Sequence, residues 1–170
     1  MPSMVDLARP VIAEAWRMLP AAKLEAVISK IRLVDLGLIR GIYHPDTGIL
    51  DLNPSIFDPA ERIDDRGIEH PRRHPYTTRA LHTVLHEFAH AIGEGTGLDR
   101  TEEWHALSGW TYDPWEQGPV NVSDYGRYFE KRPGWSYGIS PWRFRQGTFF
   151  CREYSSKSPA EDFADSVTWR

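Results

Sequence analysis

The segment His86-Glu87-Phe88-Ala89-His90 constrains the fold of this chain more than any other stretch. Residues four apart in a helix lie on the same face, one turn apart. We therefore predict a helix that presents both imidazoles together, starting near Thr77 or Thr78. A broad apolar surface surrounds the two histidines, made by Leu81, Val84, Leu85, Phe88, Ala89 and Ile92, and Gly93, Gly95 and Gly97 are expected to end the helix.

The pattern H-E-x-x-H on a helix is typical of zinc peptidases. Its spacing lets His86 and His90 reach one zinc ion, and Glu87 follows the first ligand, where a carboxylate contacts the water on the metal. We predict His86 and His90 as zinc ligands and Glu87 as the general base. In this mechanism zinc lowers the pKa of its bound water, and Glu87 takes the proton.

Two histidines do not complete a catalytic zinc site, which usually has three protein ligands and a water. The longer pattern H-E-x-x-H-x-x-G-x-x-H matches through Gly93, but its last position is Thr96, a poor zinc ligand. A glutamate from a later helix is the other common solution. Glu161 is the best candidate, and Asp165, one turn on, is placed to accept a hydrogen bond from a ligating histidine. Among its rivals, Glu94 is too close to the end of the first helix to turn back easily, whereas spacing leaves Glu102, Glu103 and His105 open.

The two motifs together resemble the anthrax-lethal-factor-type zinc peptidases, a group that includes the lethal factor protease domain and the clostridial Pro-Pro endopeptidases. The resemblance rests on H-E-F-A-H and on Y-S-S-K-S-P-A-E-D-F-A-D at residues 154–165. It extends to the strand-like residues 41–53, and residues 104–150 match only loosely. Relatives often continue beyond such a helix, so we expect a compact version or one domain of something larger.

The resemblance implies a zincin-type fold and a specific role for each matching residue. The implied zinc ligands are His86, His90 and Glu161, with Glu87 as general base and Tyr154 as donor to the developing oxyanion. Asp165 stands where the family usually has glutamate. Its side chain is shorter, so a hydrogen bond between Asp165 and a ligating histidine would have to span a shorter distance.

The rest of the chain predicts one α+β domain over residues 1–170, and the resemblance implies that this domain is a compact zincin-like metallopeptidase. Residues 5–31 show helical spacing with a break near Pro20, residues 31–38 resemble a strand, and residues 41–53 a hairpin turning at Pro45–Gly48. We expect a small twisted sheet packed on the N-terminal helices and the His86 helix. Residues 104–150 are expected to form ordered loops and short helices, and residues 158–167 a C-terminal helix begun by Ser158.

The alternation over Ile49 to Leu52 predicts an edge or half-buried strand beside the cleft. We expect a polypeptide substrate to add along this edge as an extra strand, which gives contacts that do not depend on its sequence.

Composition narrows the partners and the location. The 170 residues are 41% hydrophobic and 26% charged with a formal net charge of -4, so neither nucleic acid nor a membrane surface is an expected partner. Cys151 is the one cysteine, which excludes an intrachain disulfide and, with no cysteine near the histidines, favours an open, catalytic zinc site. No signal peptide or membrane-spanning stretch is evident, so we expect a cytoplasmic location, or export or assembly by a non-classical route.

The sequence therefore predicts a zinc-dependent endopeptidase. The alternative is a structural or assembly component, of a phage particle or secretion apparatus, that binds zinc with little or no turnover. A toxin-like effector that cleaves one host protein is a third hypothesis. Hydrolysis of a peptide library separates the first two, and only a search for a single substrate would reveal the third.

Overall fold

The computed structural model describes residues 3–58, 79–112, 135–137, 142–145, 150–151 and 153–168. Within them the chain forms helices and two small sheets, which confirms the α+β class. Its contacts divide into two compact units, Met1–Thr96 and Gly97–Arg170. The assignment of residues 1–170 to one zincin-like domain stays a prediction.

The first unit opens with two helices, α1 (Met4–Met18) and α2 (Ala21–Val27), with the predicted break near Pro20. The helical stretch was predicted to reach Ile31, but α2 ends at Val27 because Lys30 and Ile31 belong to the first strand. Ser3 caps α1, because its Oγ accepts a hydrogen bond from the N–H of Asp6 at 3.2 Å. Leu19 is extended (φ -113°, ψ 162°), as expected of a residue that precedes proline.

Three strands follow: β1 (Lys30–Leu33), β2 (Gly41–His44) and β3 (Ile49–Leu52). The predicted hairpin is confirmed, and Gly48 completes its turn with φ 65° and an N–H that donates to the His44 carbonyl at 2.9 Å. Strand β1 is shorter than the predicted 31–38, since an Asp35 carboxylate accepts the N–H of Gly37 in a local turn soon after it.

The prediction that Ile49–Leu52 is an edge strand was wrong. The sheet order is β1-β3-β2, with β3 parallel to β1 on one side and antiparallel to β2 on the other. Both hydrogen-bonding sides of β3 are occupied, so a peptide cannot add to it. Asp51 of β3 is only 5% exposed, and both Arg32 and His44 hydrogen-bond to its carboxylate.

Helix α3 (Arg79–Thr96) carries the two histidines and packs against α1, α2 and β2. Phe88 is fully buried and meets the Trp16 ring edge-on at a centroid distance of 5.5 Å. The helix continues through Gly93 and Gly95, contrary to prediction, and gives way to a left-handed Gly97 with φ 75°. Its predicted start at Thr77 or Thr78 lies outside the described residues.

The second unit contains α4 (Glu102–Ser108), β4 (Trp110–Tyr112), β5 (Trp135–Tyr137), β6 (Trp142–Arg145) and α5 (Pro159–Thr168). Its strands form an antiparallel sheet of order β4-β6-β5. Loops and short helices were expected over residues 104–150, and the sheet corrects that expectation for β4, β5 and β6. Strands of three or four residues are too short for a two-residue period to stand out.

Helix α5 agrees with its prediction. Ser158 is the cap, because its Oγ accepts a hydrogen bond from the N–H of Glu161 at 3.2 Å, and Pro159 is the first helical residue. In the part of the chain that is described, no helix is long and apolar enough to cross a membrane.

Candidate metal centre

The two histidines of α3 meet at their Nε2 atoms, which are 3.1 Å apart. Their rings are nearly perpendicular, with centroids 4.6 Å apart. His86 is 8% exposed, so the pair lies at the margin of the core. The helical spacing predicted from the sequence therefore brings two imidazole nitrogens to one point, and this prediction is confirmed.

This distance suits a shared zinc ion. Two nitrogens bound to zinc at 2.0–2.1 Å with a tetrahedral angle are roughly 3.3 Å apart. A direct N–H···N hydrogen bond between neutral imidazoles spans a similar distance. The Nε2–Nε2 distance is thus close to that of two nitrogens that share a zinc ion, and metal analysis distinguishes the two arrangements.

Glu87, the residue after His86 on α3, is only 9% exposed. Its side chain contacts the backbone at the start of β2, where Gly41 lies.

Glu94 adds a further carboxylate on the same helix, one turn beyond His90. Its Oε1 lies 3.9 Å from Nδ1 of His90. This is an ion-pair distance and is longer than a hydrogen bond. Glu94 was a rival for third ligand in the sequence, and its position near Nδ1 suits an orienting role better.

Two tryptophans fix helix α5, which carries Glu161. The Trp104 indole N–H donates to the carbonyl of Pro159 at 3.1 Å, and its ring packs edge-on against Phe163. The Trp110 indole N–H donates to Oδ2 of Asp162 at 3.0 Å. These contacts hold the first turn of α5 on both sides of Glu161.

The acidic residues of α5 have distinct surroundings. Asp162 is 4% exposed, and its burial raises the pKa of the carboxyl above its usual value, although the Trp110 hydrogen bond opposes the rise. Asp165 is fully buried and accepts a hydrogen bond from the Ser155 hydroxyl at 2.6 Å. The predicted contact of Asp165 with a ligating histidine stays a prediction.

Among the described residues, His86, His90 and Glu161 form a group that could hold a metal ion. The role of Glu161 as third ligand stays a prediction. Of the other rivals, Glu102 and Glu103 are exposed on α4, and Nε2 of His105 is 3.1 Å from the carbonyl oxygen of Asp99.

Tyr154 belongs to a short 3-10 helix, Glu153–Lys157, that precedes α5. Its side chain lies outside the described residues, so its role as an oxyanion donor stays a prediction. Ser155, beside it, was not singled out by the sequence, nor was the anchoring role of Trp104 or Asp162. The capping residues ahead of α5 predicted the helix. No pattern in the sequence predicted which residues contact it.

In comparisons with known proteins, no family model, curated protein or solved structure matches this chain. The resemblance to the lethal-factor-type peptidases therefore stays a prediction.

Proposed function

We propose that this protein is a zinc-dependent endopeptidase in which His86, His90 and Glu161 hold the metal and Glu87 is the general base. The observation that carries the proposal is the convergence of two imidazole Nε2 atoms, 3.1 Å apart, on one face of α3, with Glu87 directly after the first histidine in the sequence. Two histidines and a glutamate are one of the ligand sets of catalytic zinc, and that set leaves a position for water.

The residues of the chain would divide the reaction between them. Zinc, when bound, supplies a Lewis acid that acidifies water and polarises the scissile carbonyl. The Glu87 carboxylate accepts a proton from the attacking water and returns it to the departing amine. Tyr154 is proposed to donate a hydrogen bond to the tetrahedral oxyanion.

The substrate cannot bind along β3 as predicted, because β3 is the central strand of its sheet and is paired on both sides. An extended peptide needs an edge strand. Among the described strands of this sheet, β2 is paired on one side, with β3. Its first residue, Gly41, lies against Glu87. We therefore place an extended polypeptide along the outer side of β2, where main-chain hydrogen bonds would hold it beside the general base.

The chemistry of the ligands favours catalysis over a structural zinc. Structural sites are usually closed by four ligands and rich in cysteine. Within the described residues, the group of possible metal ligands contains His86, His90 and Glu161 and no cysteine. An assembly component that retains zinc without turnover remains the competing function.

The test compares the wild-type protein with Glu87→Gln. Gln keeps the size of the side chain and cannot act as a base, so we expect zinc content by elemental analysis to stay the same. Hydrolysis of a peptide library should fall at least 10²–10⁴-fold, roughly the contribution of a general base. Glu103→Gln, at an exposed glutamate of α4, is the matched control and should keep full activity.

Each remaining outcome separates the hypotheses. Wild-type activity in Glu87→Gln would rule out this mechanism. Stoichiometric zinc with no cleavage, in the library or in a proteome lysate, would favour the assembly component. Cleavage of one protein in the lysate, with none in the library, would indicate an effector-like specificity.

A further inference from the structure

Gly41, the first residue of β2, is in unusually close contact with Glu87. A Cβ atom built on Gly41 would lie 2.5 Å from both Cγ and Cδ of Glu87, and 2.8 Å from its Oε2. Real Cβ contacts essentially never fall below 3.0 Å. The backbone of β2 and the side chain of Glu87 therefore fit together only because residue 41 has no side chain.

Strand pairing holds the backbone side of this contact, and the Glu87 side chain on the other side is largely buried. Gly41 is paired in register with Leu52 of β3, which is fully buried. On α3, Glu87 is 9% exposed and is followed by Phe88, which has no exposed surface. Tightly packed backbone resists displacement, so a methyl group at position 41 would have to push the Glu87 side chain aside.

We propose that Gly41 is a positioning residue that fixes where the Glu87 carboxylate lies. Its catalytic consequence rests on the proposed function, in which Glu87 is the general base. The geometry of such a base matters, because a misplacement of about 1 Å costs on the order of 10²-fold in rate. The steric relation between Gly41 and Glu87 does not depend on that function.

A cycle of four proteins tests the steric relation without measuring activity: wild type, Gly41→Ala, Glu87→Ala and the double variant. We expect Gly41→Ala to lower the unfolding temperature of the metal-free protein by roughly 3–9 °C, as overpacking does. In the Glu87→Ala background the colliding side-chain atoms are absent. Gly41→Ala should then leave the unfolding temperature unchanged. Equal losses in both backgrounds would overturn the inference.

Gly37→Ala is the control for replacing a glycine. An added Cβ at Gly37 would meet nothing within 4 Å, although its φ of 61° makes the substitution mildly strained. Its effect should therefore be the same in both backgrounds. If Gly41→Ala fails to fold, the double variant decides: folding supports the steric relation, and failure overturns it.

The catalytic consequence has its own readout. Zinc-loaded Gly41→Ala should keep its metal content and lose about 100-fold in kcat, because the base is displaced while the ligands are not. Unchanged kcat in an active wild-type background would overturn the positioning role. A wild-type protein without any peptidase activity would instead overturn the proposed function and this consequence together, and the unfolding cycle would still report on the contact.

Discussion

Two residues show how far a sequence spacing can be trusted. The interval between His86 and His90 is a property of the helix, so it predicted their convergence before any tertiary contact was known. The structure places their Nε2 atoms 3.1 Å apart. The residue that touches Glu87 from β2 was not predicted, because Gly41 is far from it in the sequence and carries no chemistry of its own.

The role of Glu161 is tested at the same scale. If it is the third ligand, Glu161→Ala should weaken zinc binding by more than about 100-fold, the upper end of the loss caused by removing a group that only supports a ligand. Competition with a chelator of known affinity measures the change. Glu103→Ala on α4 is the matched control.

Unchanged zinc affinity in Glu161→Ala would remove this residue from the ligand set. A loss of about 10-fold in zinc affinity would indicate that Glu161 supports a ligand and does not bind the metal itself. In either case the next residues to substitute are Glu94, whose carboxylate is already 3.9 Å from His90, and Asp165.

At the scale of elements, the first sheet shows why alternation alone misplaced a strand. A two-residue period tells which face a side chain takes, and says nothing about how many strands pair with the backbone. Strand β3 has polar Asp51 on one face and is nonetheless central, because Arg32 donates two hydrogen bonds to that carboxylate, at 2.6 and 2.7 Å. His44 contributes a third contact at 3.0 Å.

The links around Asp51 predict an acid-sensitive sheet. The Arg32 hydrogen bonds hold the pKa of Asp51 below its ordinary value, against the opposing effect of burial. A carboxyl whose pKa is lower in the folded state stabilises the fold above its unfolded pKa, near 3.9, and loses that stabilisation as the pH falls through the folded pKa. Asp51→Asn should therefore be less stable than wild type at pH 7.

The difference in unfolding free energy between wild type and Asp51→Asn should shrink as the pH falls below about 3.9, since protonation makes the wild-type side chain neutral as well. Urea unfolding at pH 7, 5 and 3 measures it. Asp46→Asn, at an exposed turn residue of the same hairpin, is the control. A gap that stays constant with pH would show that the charge of Asp51 is not what stabilises the sheet.

At the scale of the whole molecule, a bound metal should stabilise the native state. A ligand at 100 times its dissociation constant adds about 2.7 kcal/mol if the unfolded chain does not bind it. For a chain of this size that corresponds to a rise of about 5–11 °C in unfolding temperature. Zinc should produce this rise, a chelator should reverse it, and His90→Ala should abolish it.

Magnesium is the control ion for this measurement, because it prefers oxygen ligands and octahedral geometry over two imidazoles. Equal shifts with zinc and magnesium would point to a site other than the histidine pair. No shift with zinc at millimolar concentration would contradict the metal centre itself.

The sequence by itself determined the features that depend on neighbours along the chain. Helical spacing and caps predicted α1, α2, α3 and α5, turn residues predicted the β2–β3 hairpin, and the H-E-x-x-H interval predicted the imidazole pair. These succeed because hydrogen bonding and side-chain direction in a helix or tight turn are fixed within a few residues.

Only tertiary structure decided the features that join distant residues. Strand β3 is central because it pairs with β1 as well as β2, and β4, β5 and β6 form a second sheet. Trp104 and Trp110 hydrogen-bond to α5, and Gly41 lies against Glu87. Which strands pair, and which backbone lies against which side chain, depend on the packing of the whole core, and a local pattern carries no information about a partner far away in the chain.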